Sequence, residues 1–150
     1  VSAVFAVAAV AALAWSLWLR NNAVALQSQV AASGEALKAA EILAQEGISA
    51  SVVDMHTIKP IDRELVIQMA QTCGAIVTCE NHQIVNGLGS AVAEVLAEEI
   101  PTPMLRVGVK EMFGEVGQVD YLKERFDLTA AVICAHAEQV LEKKKAVIPA

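Results

Sequence analysis

From Gly34 onward, stretches with helical spacing of apolar residues alternate with short apolar runs, and a turn signal separates each from the next. That alternation constrains the fold more than any other feature, because helices that follow strands one by one pack on the faces of a parallel sheet. Glu35 to Glu46 places Leu37, Ala40, Ile42 and Leu43 along one helical face, and Gly47 supplies the left-handed stop. Ala50 to Met55 reads as a short buried strand. Pro60 ends strand pairing, Asp62 is positioned to cap a helix over Arg63 to Thr72, and Gly74 closes that helix. Ala75 to Cys79 is the clearest strand, an apolar run bounded by Gly74 and by the polar group Glu80, Asn81 and His82. Asn86 to Ser90 then leads into a helix over Ala91 to Glu99, and Pro101 and Pro103 precede a strand over Met104 to Val109. After Gly114 and Gly117, Val119 to Phe126 reads as a helix, and Thr129 is positioned to cap a last helix from Ala130 to about Lys144.

The first third follows different rules. The chain is 55% apolar, above the ~45–50% of an ordinary soluble domain, and much of the excess lies in Val1 to Leu19, which carries no charge. At ~1.5 Å rise per residue, a helix of that length approaches a ~30 Å hydrocarbon core, and Trp15 and Trp18 beside Arg20 have the character of an interfacial anchor. Residues 1–20 are therefore read as a hydrophobic helix, either a membrane anchor or a non-native extension. A buried helix of the domain and an uncleaved targeting segment are competing readings. If the segment spans, Arg20 and Lys38 favour a cytoplasmic position for the domain on its C-terminal side. Residues 21–33 are polar and rich in Ala and Gln, with Val24, Leu26 and Val30 too sparse for a buried strand. They read as a linker or helix, and residues 34–150 as the domain proper.

Net charge is -6, with no dense basic stripe to neutralise a phosphate backbone, so nucleic acid is excluded as a partner. The one basic run, Lys143 to Lys145, is expected at a solvated helix end. Cys73, Cys79 and Cys134 form an odd set without C-x-x-C spacing, which points to free thiols in a reducing cytoplasm, behaving as small buried hydrophobes.

In an open parallel sheet, ligands and partners collect beyond the C-terminal ends of the strands. Three loops converge there, Asp54 to Asp62, Glu80 to Ser90 and Lys110 to Gln118. They bring His56, Lys59, Glu80, His82, Gly87, Gly89, Lys110, Phe113 and Glu115 to one edge, expected to contact a partner. A metal would need several of His56, Cys79, Glu80 and His82 to close on one ion, and hydrogen bonding of both histidines to loop backbone or a neighbouring domain is the favoured alternative. Cys79 and His82 form the one nucleophile-base pair close in sequence, but a strand residue and a loop residue three positions on point differently. Gly87-Leu88-Gly89-Ser90 before a helix offers backbone N–H groups to a phosphate, yet Val92 breaks G-x-G-x-x-G and no G-x-x-x-x-G-K-[ST] is present. A tight strand-to-helix turn explains these glycines equally well. No catalytic, cofactor-binding or metal residue is assigned.

Four stretches occur in a telling order: GEALKAAEILAQEGISASVVDMHTIKPID from Gly34 to Asp62, CENHQIVNGLGSAVAEVLAE from Cys79 to Glu98, PMLRVGVKEMFGEVG from Pro103 to Gly117, and the terminal helix. Together, over residues 34–145, they resemble the C-terminal domain of transketolase; related domains of 1-deoxyxylulose-5-phosphate synthase and pyruvate dehydrogenase beta subunits share the outline. The resemblance implies a three-layer α/β/α domain with an open, mainly parallel sheet of five strands, docked on the thiamine-diphosphate-binding domains or subunit of a dimeric enzyme. It also implies that thiamine diphosphate and its Mg or Ca ion are held elsewhere. The chain would then be an accessory part, inactive alone, of an enzyme moving a two-carbon ketol unit between sugar phosphates, as in the pentose phosphate pathway. One departure stands out. Where the family carries a central apolar strand ending in a Gly turn, this chain has VALQSQV from Val24 to Val30, so a gap in the sheet is expected. A membrane-tethered interaction module and a small autonomous enzyme using His56, Glu80 and His82 are the competing readings.

Overall fold

The computed structural model describes residues 22–27 and 30–147, with side-chain surroundings over 34–146. Its strands are β1 (Asn22–Gln27), β2 (Ser49–Asp54), β3 (Ile76–Gln83) and β4 (Met104–Val109). Its helices are α1 (Val30–Gln45), α2 (Arg63–Cys73), α3 (Leu88–Glu99), α4 (Val119–Arg125) and α5 (Ala130–Val147). The strands form one sheet in the order β2-β1-β3-β4, parallel at every junction. The described residues thus supply four parallel strands, where the family resemblance implies five in a mixed sheet.

The linker-or-helix reading of residues 21–33 is corrected over Asn22–Gln27, which is a strand lying between β2 and β3. It pairs with β2 from Asn22↔Ser49 to Gln27↔Asp54 and with β3 from Val24↔Ile76 to Gln27↔Cys79, so the expected gap is filled. Ladders on both sides satisfy its backbone groups, and that non-local pairing outweighs an unconvincing side-chain pattern. The helix expected over Val1 to Leu19 lies outside the described residues. Among those described, no helix is long and apolar enough to cross a membrane.

Each face of the sheet carries its own core. β3 and the residue just before it alternate, sending Ala75, Val77 and Cys79 against α1 and α5, and Ile76 against α2 and α3. On the first side, α1 buries Ala36, Ala39 and Leu43, while Leu37 and Ile42, expected inward, are exposed. The buried face is rotated from the expected one because small alanines let α1 approach α5, where Ile133, Cys134, Ala137 and Val140 are buried. On the second side, Val66 and Ala70 of α2 meet Val92 and Val95 of α3. Local signals set the ends of α2. The Asp62 side chain accepts from the Leu65 N–H, and Gly74 takes a left-handed φ of 64° while its N–H returns to the Ala70 carbonyl.

Two charged groups tie helices together, Glu35 within one layer and Lys144 across the sheet. The buried Glu35 carboxylate of α1 accepts the Ala130 N–H at the start of α5 (3.1 Å), with Lys123 and Lys38 donating at 3.0 and 3.1 Å. Burial raises its pKa, but the bonds from Lys123, Lys38 and Ala130 outweigh burial and hold it below the usual carboxylate value. Lys144 of α5 corrects the expectation of a solvated basic run. It is buried, and its Nζ donates to the Cys73 carbonyl at the end of α2 (2.7 Å), next to Gly74. There a cation meets the negative end of a helix dipole, and burial pushes the amine's pKa down. Lys143 and Lys145 remain exposed.

Lys144→Ala should therefore cost about 2 kcal/mol in urea unfolding, from a stranded helix-end carbonyl and lost packing of the aliphatic stem, with Lys143→Ala close to neutral. For Glu35 the folded pKa is depressed, so its stabilisation is present above the unfolded value of 4.5 and is lost as pH falls through the lower folded value. Wild type should exceed Glu35→Gln by about 1–2 kcal/mol near neutrality, and unfolding curves at decreasing pH should show that advantage shrinking only below 4.5.

Candidate functional site

The chain runs from β1 outward to β2, returns to β3 and continues outward to β4, so its direction reverses between β1 and β3. The C-terminal ends of the strands at such a reversal are where open α/β sheets expose helix N-termini. Glu80 sits there on β3 and is 1% exposed. Its two oxygens accept the first N–H groups of α3: Leu88 N–H to Oε2 at 2.8 Å and Gly89 N–H to Oε1 at 2.9 Å. A carboxylate this deeply buried needs charge-assisted partners, and the positive end of α3 supplies them.

The glycines before α3 follow from that contact. Gly87 has φ -97°, a backbone that other residues adopt readily, so its requirement is spatial: a Cβ there would overlap Glu80 Oε2. At Gly89 a Cβ would lie 2.6 Å from Arg106 Cδ and 2.9 Å from Thr78 Oγ1. That Thr78 hydroxyl is buried and is the one fully buried side-chain polar atom without a hydrogen-bond partner among the described residues. Asn86 takes the left-handed φ of 61°, its N–H donates to Ser90 Oγ, and the Ser90 hydroxyl and Arg106 Nη1 both donate to the Ile84 carbonyl. The turn is thus fixed by its own side chains. Its anion-receptive amides already hold an anion, which leaves the Gly87–Gly89 segment as a strand-to-helix turn and not a phosphate cradle.

Of the residues the sequence brings to this edge, hydrogen bonds join Glu80 to Gly89, with Gly87 packed against the same carboxylate. The others stand apart. His56 is exposed with Nδ1 3.5 Å from Asp54, and Lys59 is exposed. His82 is exposed with Nδ1 3.1 Å from the Gln83 carbonyl, and Lys110 pairs with Asp127 at 3.3 Å. Glu115 accepts from Tyr121 and Arg125, both at 2.7 Å. Cys79 is buried toward α1 and α5, away from His82's exposed position, and burial, reinforced by Glu80, pushes its pKa up to about 12, far from a reactive thiolate. Among the described residues no group of three His, Cys, Asp or Glu side chains is arranged to hold a metal.

Phe113 and Val116 are fully exposed on the loop between β4 and α4, with Val119 62% and Tyr121 49% exposed just beyond. On the loops that follow β3 and β2, Val85 and Ile58 are exposed as well. An apolar series of this kind on one edge suits contact with another protein surface. The sequence places Phe113 at this edge but does not reveal the separate part played by Glu80. Its signal is a lone acidic residue at a strand end, eight positions before a Gly-rich helix start, with no basic residue nearby.

Gly87→Ala tests the geometry: the added methyl displaces the Glu80 carboxylate from α3, and thermal or urea unfolding should register a loss of about 2–4 kcal/mol, the range for uncoupling a buried charge from its partners.

The family described as "Transketolase, C-terminal domain" matches residues 21–133. A 6-deoxy-6-sulfo-D-fructose transketolase subunit of a Clostridium species is 54% identical over 110 residues, covering 73% of this chain and 34% of that protein. A putative transketolase C-terminal section of Methanocaldococcus jannaschii is 42% identical over 112 residues, 74% of this chain and 34% of its own length. 1-Deoxy-D-xylulose-5-phosphate synthase 1 of Geobacter sulfurreducens is 40% identical over 117 residues, 77% of this chain and 18% of that enzyme. Among solved structures, one titled "Split gene transketolase, inactive beta4 tetramer" superposes with a TM-score of 0.76 at 44% identity, over 83% of this chain and 39% of that one. The chain spans about a third or less of the length of these curated relatives. The family match begins at residue 21 and takes in β1, which extends the resemblance read from residue 34. The chain belongs to the transketolase C-terminal domain family.

Proposed function

We propose that this chain serves a thiamine-diphosphate-dependent transketolase as its accessory C-terminal part, inactive alone and functional when docked on cofactor-binding domains. The assembled enzyme would move a two-carbon ketol unit between sugar phosphates. One observation carries the reading: the sheet edge where an α/β protein ordinarily binds phosphate is sealed by Glu80 on β3, while Phe113 and Val116, on the loop that follows the neighbouring strand β4, are exposed. That edge is built for contact, not for chemistry. Aromatic side chains on a rim of mixed polarity are common anchors of protein interfaces.

The described residues do not fit thiamine diphosphate or its metal. The N-terminus of α3 is filled by Glu80, and no acidic or histidine cluster is arranged to ligate an ion. Cofactor and Mg or Ca would therefore be held by the partner, in a separate chain or in a longer form of this one. A relative titled as a subunit and another titled as a split-gene tetramer support assembly from separate pieces. Three buried, free cysteines suit a reducing cytoplasm.

Mixing the chain with a cofactor-binding transketolase subunit should give ketol transfer that neither supplies alone. Phe113→Asp should weaken that association about tenfold in analytical ultracentrifugation with the melting temperature unchanged. Turnover by this chain alone, or assembly indifferent to Phe113→Asp, would contradict the proposal.

A further inference from the structure

Loops are usually the loosest part of a domain, so side chains that a loop offers to a partner bind well only when something holds them in place. The loop between β4 and α4 carries Phe113 and Val116, both fully exposed, and lies outside every helix and strand. Across residues 111–117, the hydrogen bonds made among the described residues end on one side chain, Glu115. Its Oε2 accepts from the Tyr121 hydroxyl and its Oε1 from Arg125 Nε, both at 2.7 Å. Glu115 stands between Phe113 and Val116 in sequence, so fixing it restrains the short stretch that carries both.

The anchor is itself anchored. Tyr121 and Arg125 are four positions apart on α4 and share one side of it, whereas Lys123, two positions from each, lies on the other side and bonds to buried Glu35. α4 thus holds the core with Lys123 and the loop with Tyr121 and Arg125. The Arg125 guanidinium also lies 5.7 Å from the centroid of the Phe126 ring. From the loop side the backbone comes close: a Cβ at Gly117 would lie 2.6 Å from Tyr121 Cδ1, so glycine lets the chain fold back onto that ring. Bonds from Tyr121 and Arg125 hold the Glu115 carboxyl below its ordinary pKa, which keeps it charged at neutral pH.

Pairs as exposed as these contribute little to global stability. Their effect is local: they restrict a segment that would otherwise sample many conformations, and a docking surface gains from that restriction because less ordering remains to be done on binding.

Taking the docking role of Phe113 and Val116 from the proposed function, we propose that Glu115 is a positioning residue. Clasped by Tyr121 and Arg125, it presets the loop so that both apolar side chains meet the cofactor-binding partner already in place.

Glu115→Ala frees the loop without altering Phe113. In the full chain alone, heteronuclear amide NOEs at Phe113, Gly114 and Val116 should fall while the melting temperature is kept. Affinity for a cofactor-binding transketolase subunit, measured by analytical ultracentrifugation, should drop about tenfold. Glu115→Gln keeps an acceptor for Tyr121 and should recover part of both effects; Tyr121→Phe, which removes one of the two bonds, should lose part of both. In a Phe113→Asp background, Glu115→Ala should cost little more affinity, because the side chain it presents is already gone. NOEs unchanged in Glu115→Ala would overturn the positioning role. So would wild-type affinity in Glu115→Ala when Phe113→Asp alone is weakened, or a second loss of about tenfold in the double variant. If Phe113→Asp binds as tightly as wild type, the docking reading itself fails and this role fails with it.

Discussion

One buried carboxylate at the end of β3, held by the first two amides of α3, organises the working edge of this domain. A charge that is 1% exposed persists only where donors are fixed in place, so Glu80 locks the strand to the helix and dictates the turn between them. Gly87 must lack a Cβ for the carboxylate to reach α3, and Arg106 and Ser90 converge on the Ile84 carbonyl to hold the rest. The functional consequence is exclusion. A helix N-terminus that would otherwise receive a phosphate is occupied from within, and the surrounding surface is left with apolar side chains that suit a protein partner.

The remainder of the fold is fastened at the two ends of α5. At its start, Glu35 places negative charge on the exposed amides; near its end, Lys144 carries positive charge to the carbonyl end of α2. Both match the sign of a helix dipole and join elements distant in sequence: Glu35 joins α1 to α5 on one face, and Lys144 reaches from that face to the end of α2 on the other. Apart from the bond of Lys123 to buried Glu35, α4 and the loop before it are held by surface ion pairs that contribute little each. Mobility in this domain should therefore concentrate where Phe113 and Val116 lie.

The features legible in the sequence are local ones. Asp62 as a helix cap and Gly74 as a left-handed stop depend on a few neighbouring residues, and the structure has both. The strand Met104–Val109 is announced by its preceding prolines in the same way. The features that escape it are non-local. VALQSQV does not read as a strand, yet Asn22–Gln27 is one because β2 and β3 satisfy its backbone on both sides. Leu37 and Ile42 read as core, yet the face that meets α5 is the alanine face. Lys144 reads as solvated because nothing nearby in sequence reveals that the end of α2 lies against it. Glu80 reads as an edge residue like His56 and His82; depth within the sheet, which separates it from them, is not a property of the motif.

The phosphate-receptive geometry at the start of α3 is closed by the protein's own carboxylate. Calorimetric titration of the purified chain with thiamine diphosphate and Mg²⁺ tests it most directly. Only heats of dilution are expected across the titration. A saturable one-to-one isotherm from the isolated chain would contradict the account.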